Sequence, residues 1–253
     1  MFFDSHAHLD NPRFDEDRDA VIAAMREAGV TNMINVGCDL ATSRNSVRLA
    51  EENEGFYAAV GTHPSDSAGF TDETLAIYRE MAAHEKVVAI GEIGLDYYRN
   101  HATPEVQKAV FRAQMELARE LDMPVVIHDR DAHGDCLEMI AQFPEVTGVF
   151  HCYSGSWDYA QELLKRGWYL GFTGVITFSN ARRALEVIEN APLHRMLIET
   201  DCPYLTPEPY RGRRNDPSRV PYMAAKIAEV RGITVEEAAR ITAENTKKLF
   251  RIA

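Results

Sequence analysis

Long hydrophobic runs are missing from this 253-residue chain. No stretch approaches the ~18 apolar residues that a membrane helix needs. The N-terminus has no basic segment followed by an apolar one, so no secretory leader is expected. Cysteine is scarce. Cys38, Cys136, Cys152 and Cys202 make no C-x-x-C pair and no zinc-finger spacing, which points to reduced thiols and a cytoplasmic setting. Positive charge is also short, with 27 Lys and Arg against 39 Asp and Glu, a net charge of −12. That excludes a broad basic surface wrapped by nucleic acid. It leaves phosphate substrates open, because a bound metal can be the largest local charge in a site. No low-complexity tract, linker or short repeat divides the sequence, so one domain over residues 1–253 is expected.

What the chain does have is rhythm. Near-continuous apolar runs of strand length recur at Phe2-Phe3, Met33-Val36, Phe56-Val60, Val87-Ile90, Val125-Ile127, Val146-Phe150, Tyr169-Phe172 and Met196-Ile198, as strands buried on both faces do. Amphipathic stretches lie between them: 16–28, 42–52, 72–83, 104–121, 134–143, 156–166 and 180–190. In the fourth, Val106, Val110, Ala113, Leu117 and Leu121 form one stripe, with Thr103 and Pro104 suited to N-cap and first turn. Helices near 221–230 and 235–249 follow, the last opened by a Thr234/Glu237 capping box. Eight strands alternating with helices predict a single (β/α)8 barrel with one or two extra C-terminal helices. An open doubly wound sheet is the rival, but it carries a glycine-rich phosphate loop after its first strand. Here that position holds His6-Ala7-His8.

Barrel chemistry sits at the C-terminal ends of the strands. Those ends carry His6 and His8 (first), His63 (third), Glu92 (fourth), His128 (fifth), His151 (sixth) and Asp201 (eighth). His6 and His8, two apart on one strand, share a face. One such histidine is an ordinary core residue; this coincidence points to a metal site. His6, His8, Glu92, His128, His151 and Asp201 exceed one tetrahedral ion and suit two. Glu92 can bridge them; His6, His8 and Asp201 then hold one, and His128 and His151 the other. Asp201 is also the candidate proton acceptor. Imidazole ligation favours zinc, manganese, iron or cobalt over magnesium. His63 is expected to bind substrate, and Arg130 to meet an anion or an ion-pair partner. Arg211, Arg213 and Arg214 form the densest basic cluster, either solvated or phosphate-capturing. His84, His101 and His194 read as solvated, His133 as ambiguous, and Cys152 and Cys202 as small residues turned away from the cavity.

The segments Asp4-Ser5-His6-Ala7-His8-Leu9, Gly61-Thr62-His63-Pro64, 91–96 (GEIGLD), His128-Asp129-Arg130, 151–155 (HCYSG), 199–205 (ETDCPYL) and 209–215 (PYRGRRN) together resemble the TatD family of metal-dependent deoxyribonucleases. The resemblance implies a TIM-like barrel of the amidohydrolase superfamily that hydrolyses DNA, with 3′→5′ exonuclease action on single-stranded ends. It implies the same six ligands, two divalent ions (Mg, Mn or Zn), and His63 and Arg130 near the phosphate. Tyr153 and Arg211 are the further substrate contacts expected. Magnesium, common in the family, sits against the histidine-rich donor set. Tyr153 stands where phenylalanine is expected and Cys202 where serine is common. A monomer without membrane contact is favoured. The alternatives are a barrel amidohydrolase or deaminase acting on a C–N bond, or a silent protein that binds metal and nucleic acid. Many such amidases bridge their metals with a modified lysine in strand four, where this chain has Glu92 and no lysine beyond Lys86.

Overall fold

Strand and helix alternate as the apolar rhythm predicts. The structure, a computed structural model, describes residues 1–99 and 101–253. The strands are β1 (Phe2–Ala7), β2 (Val30–Val36), β3 (Phe56–Val60), β4 (Val87–Asp96), β5 (Val125–Arg130), β6 (Gly148–Phe150), β7 (Tyr169–Phe172) and β8 (Met196–Ile198). The helices between them are α1 (Arg18–Glu27), α2 (Leu40–Glu52), α3 (Asp72–Met81), α4 (Pro104–Glu120), α5 (His133–Ile140), α6 (Trp157–Lys165) and α7 (Arg182–Asn190), and α8 (Val220–Arg231) and α9 (Val235–Phe250) close the chain. All seven neighbouring strand pairs are parallel, in the order β1 to β8. The seam between β8 and β1 is tied by Asp201 N–H to His6 O (2.9 Å) and Ser5 Oγ to Ile198 O (3.0 Å). The result is a nearly closed (β/α)8 barrel with two extra helices.

Inside the barrel, Phe3, Ile34, Val36, Ala59, Ala89, Val126, Val149 and Leu197 pack together, and Leu249 and Phe250 of α9 plug the N-terminal end. The larger apolar layer lies between strands and helices. Two expectations need correction. The buried face of α4 is Gln107, Val110, Phe111, Gln114, Met115, Leu117 and Ala118, whereas Val106 is exposed. Both glutamines are spent on backbone: Gln107 on Asp96 N–H (2.8 Å) and O (3.0 Å), Gln114 on Thr62 N–H (2.7 Å) and O (3.0 Å). A hydrophobicity count misses polar side chains buried for their hydrogen bonds. The Thr234 hydroxyl accepts from Glu237 N–H (3.1 Å), but among the described bonds Glu237 returns none, so the capping box is half made.

β1, β4 and β5 run past the apolar runs into the polar residues that follow, and β4 is buried along all ten residues. Phase changes there aim the site. Phe3 faces the barrel interior and Ala7 the helical layer, and pairing with β2 slips between Asp4 and Ala7. Strict alternation from Phe3 would turn His6 outward; the slip turns it in. β4 repeats this, with a slip against β5 between Ile90 and Ile93. Ala89 faces inward and Ile93 outward, so Glu92 points into the cavity. Such irregularities re-aim side chains beside functional sites.

Candidate metal centre

Seven of the residues singled out in the sequence converge at the C-terminal mouth. His8, His63, Glu92, His128, His151 and Asp201 line one cavity of about 370 Å³, and His6 lies buried beneath it. Glu92 stands at the middle. Its Oε2 is 3.6 Å from His6 Nε2 and 3.9 Å from His8 Nε2. Its Oε1 is 2.8 Å from His128 Nδ1, 3.2 Å from His151 Nε2 and 3.8 Å from His63 Nε2. Asp201 Oδ1 approaches His8 Nε2 (3.3 Å) and His6 Nε2 (3.8 Å), and these two nitrogens are 3.1 Å apart. An ion with bonds of ~2.1 Å spaces tetrahedral donor atoms about 3.4 Å apart. The five separations around His6 and His8 scatter about that value, so the donors fit a divalent ion. His63, Glu92 and His128 form a second compact group.

The outer nitrogens are equally informative. His8 Nδ1 bonds Val36 O (2.8 Å), His128 Nε2 bonds Asp96 Oδ2 (3.1 Å), and His151 Nδ1 bonds Glu199 Oε1 (3.2 Å). Each leaves the opposite nitrogen facing Glu92 or Asp201, the outer-partner arrangement of metal-ligating histidines. Buried His6 Nδ1 has no partner among the described residues. Asp96 and Glu199 had no assigned role in the sequence reading; their signal was a carboxylate in an apolar strand and at the exit of another. Glu199 also accepts from Cys152 N–H (2.6 Å), and a Cβ on Gly171 would fall 2.6 Å from it, which explains the glycine. Gly94 is required likewise: at φ +137°, its Cβ would meet His128 O at 2.0 Å.

Asp201 holds a left-handed backbone (φ 53°), uncommon outside glycine and frequent at functional sites. Asp4 fixes this turn by accepting from Thr200 N–H (2.9 Å) and Oγ1 (2.6 Å), and its burial raises its pKa to about 7. Burial opposes ionisation of Glu92 and Asp201 as well, yet the surrounding imidazoles outweigh it and hold both below the carboxylate range. Burial disfavours protonated His8 and His151 too. Cys38 and Asp201 around His8, and Glu92 and Glu199 around His151, outweigh it, so both lie well above the usual imidazole value. His63 is pushed down to about 3 by burial. Its Nδ1 accepts from Ser65 N–H (3.1 Å), so Nε2 carries the proton of the neutral ring and faces the cavity.

The remaining candidates are dispersed. Arg130, Tyr153 and Arg211 are not among the residues lining this cavity. Arg130 lies over the Tyr98 ring (4.0 Å) and Arg211 over Phe178 (4.3 Å). Tyr153 is buried and donates to Ser156 O (2.7 Å). Arg214 bonds both oxygens of Asp17, which removes it from any phosphate cluster. His133 bonds Asp129 (2.8 Å) and stacks on Tyr159, a structural role. Cys202 is buried as expected, whereas Cys38 and Arg99 line the cavity unanticipated.

A (β/α)8 barrel with this donor set is a metal-dependent hydrolase. The TatD-related DNase family matches residues 3–251, and the chain belongs to it. It is 46% identical to the uncharacterized metal-dependent hydrolase YabD of Bacillus subtilis, over all of both chains. It is 38% identical to the 3′-5′ ssDNA/RNA exonuclease TatD of Escherichia coli K12, covering 99% of each. The crystal structure of YJJV, a TatD homologue from Escherichia coli K12, superposes with a TM-score of 0.94 at 30% identity, covering 100% of this chain and 98% of that one. No helix among the described residues is long and apolar enough to cross a membrane.

Proposed function

We propose that residues 1–253 form one catalytic domain that removes nucleotides from 3′ ends of single-stranded DNA, using two divalent ions (Mg, Mn or Zn). The observation carrying this reading is the division of labour at Glu92, whose two oxygens each face a separate set of imidazoles. His6, His8 and Asp201 would hold one ion, His128 and His151 the other, with Glu92 shared. Ions so placed acidify water and neutralise charge on a phosphoryl oxygen. Asp201, ionised and within reach of His6 and His8, accepts the proton from the attacking water. His63, neutral with its Nε2 proton facing inward, donates to a phosphoryl oxygen. Arg130 and Arg211 meet phosphates further along the strand, and Tyr153 meets a base. The net charge of −12 limits this footprint to a few nucleotides, so the salt dependence should be shallow. The described cysteines are unpaired, in keeping with a cytoplasmic setting.

The amidohydrolase alternative loses its usual bridge, because β4 carries Glu92 and no lysine. The deciding experiment is digestion of end-labelled single-stranded DNA, and of RNA beside it, by metal-stripped protein given back Mg, Mn or Zn. A ladder shortening from the 3′ end, lost in Glu92→Ala, is the expected result. Metal-loaded protein that cleaves neither strand would shift the reading to a small-molecule hydrolase.

A further inference from the structure

A second cavity, also about 370 Å³, opens at the same end of the barrel. Cys152, Tyr153, Thr173, Ile176, Arg182 and Arg183 wall it. Cys152 and Tyr153 directly follow His151, and Thr173 directly follows β7, so the cavity adjoins the metal centre through the chain itself. Its floor is apolar: Ile176, Ala181 and Ala184 are buried. Its aromatic wall is rigid, because Tyr153 is tied to Ser156 O and stacks with Tyr159 (6.0 Å, 19°).

The rim is cationic on an otherwise acidic chain. Arg182 and Arg183 are exposed in the first turn of α7, which holds no acidic residue. Arg211 lies over Phe178, whose N–H closes the turn Gly174–Thr177 carrying Ile176. The Glu208 N–H bonds Thr177 Oγ1 (2.9 Å), fastening the loop that bears Arg211 to that turn. Arg214 and Arg219 in the same region are paired with Asp17 and Asp216; among the described residues Arg182, Arg183 and Arg211 have no carboxylate partner.

An apolar slot with one aromatic wall, rimmed by guanidinium groups, matches a nucleotide: a flat base and its phosphate. We infer that this cavity is a subsite for a second nucleotide of the bound strand, with the base against Tyr153 and Ile176 and its phosphate at Arg182 and Arg183. This rests on the nuclease reading of the metal centre. It gives Tyr153, expected from the sequence as a substrate contact, a place outside the metal cavity.

The test compares the wild-type enzyme with Arg182→Ala/Arg183→Ala and with Asn180→Trp, which fills the slot from an exposed lining position. Binding to metal-loaded protein is read by anisotropy with a fluorescent, hydrolysis-resistant phosphorothioate oligo-dT. Turnover is read on an oligo-dT and on the p-nitrophenyl ester of thymidine 5′-phosphate, which has no second nucleotide. Both variants should bind the oligonucleotide about tenfold more weakly, within what one stacked base and its phosphate supply. The arginine variant should also lose about 0.7 from the log–log salt slope, the contribution of one phosphate of a single strand. Its KM for the oligonucleotide should rise, with the p-nitrophenyl ester affected less than twofold. Wild-type affinity in both variants, or equal losses on both substrates, overturns the subsite. A wild-type enzyme that binds the oligonucleotide but never cleaves it overturns the nuclease reading instead, and the anisotropy arm still decides the subsite.

Discussion

Glu92 separates two halves of the centre that are built differently. On the Oε2 side, His6 and His8 come from the end of one strand, and His8 is oriented by a backbone carbonyl, Val36 O. On the Oε1 side, His128 and His151 come from different strands and are each oriented by a carboxylate, Asp96 or Glu199. A backbone carbonyl carries no net charge and survives any substitution at its own position. A carboxylate raises the basicity of its imidazole and can be removed by one mutation. In the first half the imidazole of His8 is held by the ladder of the sheet, with only the Asp201 turn resting on a side chain, Asp4. In the second, both imidazoles depend on side chains that a single change can delete.

The largest effect should therefore fall on the Oε1 half. Glu199 receives His151, Cys152 N–H and Ser5 Oγ in full burial. Glu199→Ala strands His151 and the Cys152 N–H, each at about 1–3 kcal/mol, while Ser5 Oγ keeps Ile198 O, and Glu199→Gln isolates the loss of charge. Removing an outer partner costs roughly 10–100-fold in metal affinity. Metal analysis after dialysis should show Glu199→Gln losing one ion and keeping the other. Asp96→Asn, which likewise keeps an acceptor oxygen and loses the charge, should act in the same direction on His128. Loss of both ions together would show that the halves bind as one unit and break the comparison.

Protons provide the next test. His8, His128 and His151 are held above the usual imidazole value of 6.5: burial opposes this, and the acidic groups around them outweigh it. In metal-free protein their contribution to stability is complete below 6.5 and is lost as pH rises through the raised values. Asp4, raised to about 7, acts in the same direction up to that pH. His6 and His63, lowered by burial, alter stability only below 6.5, and Glu92 and Asp201 only in the acid range. Metal competes for the same nitrogens, so its affinity rises over the window in which the metal-free fold weakens. Melting temperatures from pH 6.5 to about 8.5 should fall for chelated protein and hold or rise for loaded protein. A chelated protein that gains stability across this window contradicts the assigned protonation.

Much of this architecture is visible in the sequence, for a physical reason. Strands buried on both faces are apolar throughout, so β3, β7 and β8 match their runs residue for residue. The convergence of the candidate ligands follows because each sits where such a run stops. What stays hidden is phase and partnership. Nothing local in Phe2–Ala7 announces the register slip that turns His6 inward, because slippage is a property of pairing with β2. Asp96 and Glu199 each lie more than 30 residues from the histidine they orient, with no fixed spacing to mark the pair. Arg214 shows the opposite failure: a cluster in sequence is divided in space when one member turns toward Asp17.

The smallest effect separates support of the fold from support of the metal. Gln107 and Gln114 lie about two turns apart on α4 and make matching brackets, each accepting from and donating to one backbone unit, with a further donation to Ala102 O (2.9 Å) from Gln107 and to Val110 O (3.5 Å) from Gln114. Replacement of either by Ala exposes a similar pair of buried backbone groups and should cost about 1–3 kcal/mol, or ~2–4 °C per kcal/mol for a domain of this size. On stability alone the two variants should be indistinguishable. Gln107, however, fixes Asp96, which orients His128, while Gln114 fixes Thr62, beside His63. With Gln107→Ala, affinity for the second ion should drop a few-fold and the first should be untouched. With Gln114→Ala, both ions should remain and only the KM for the strand should rise. If the two variants lose metal equally, α4 acts on the centre through general loosening of the barrel, and the distinction between a backbone-held half and a side-chain-held half no longer describes how this site is kept in place.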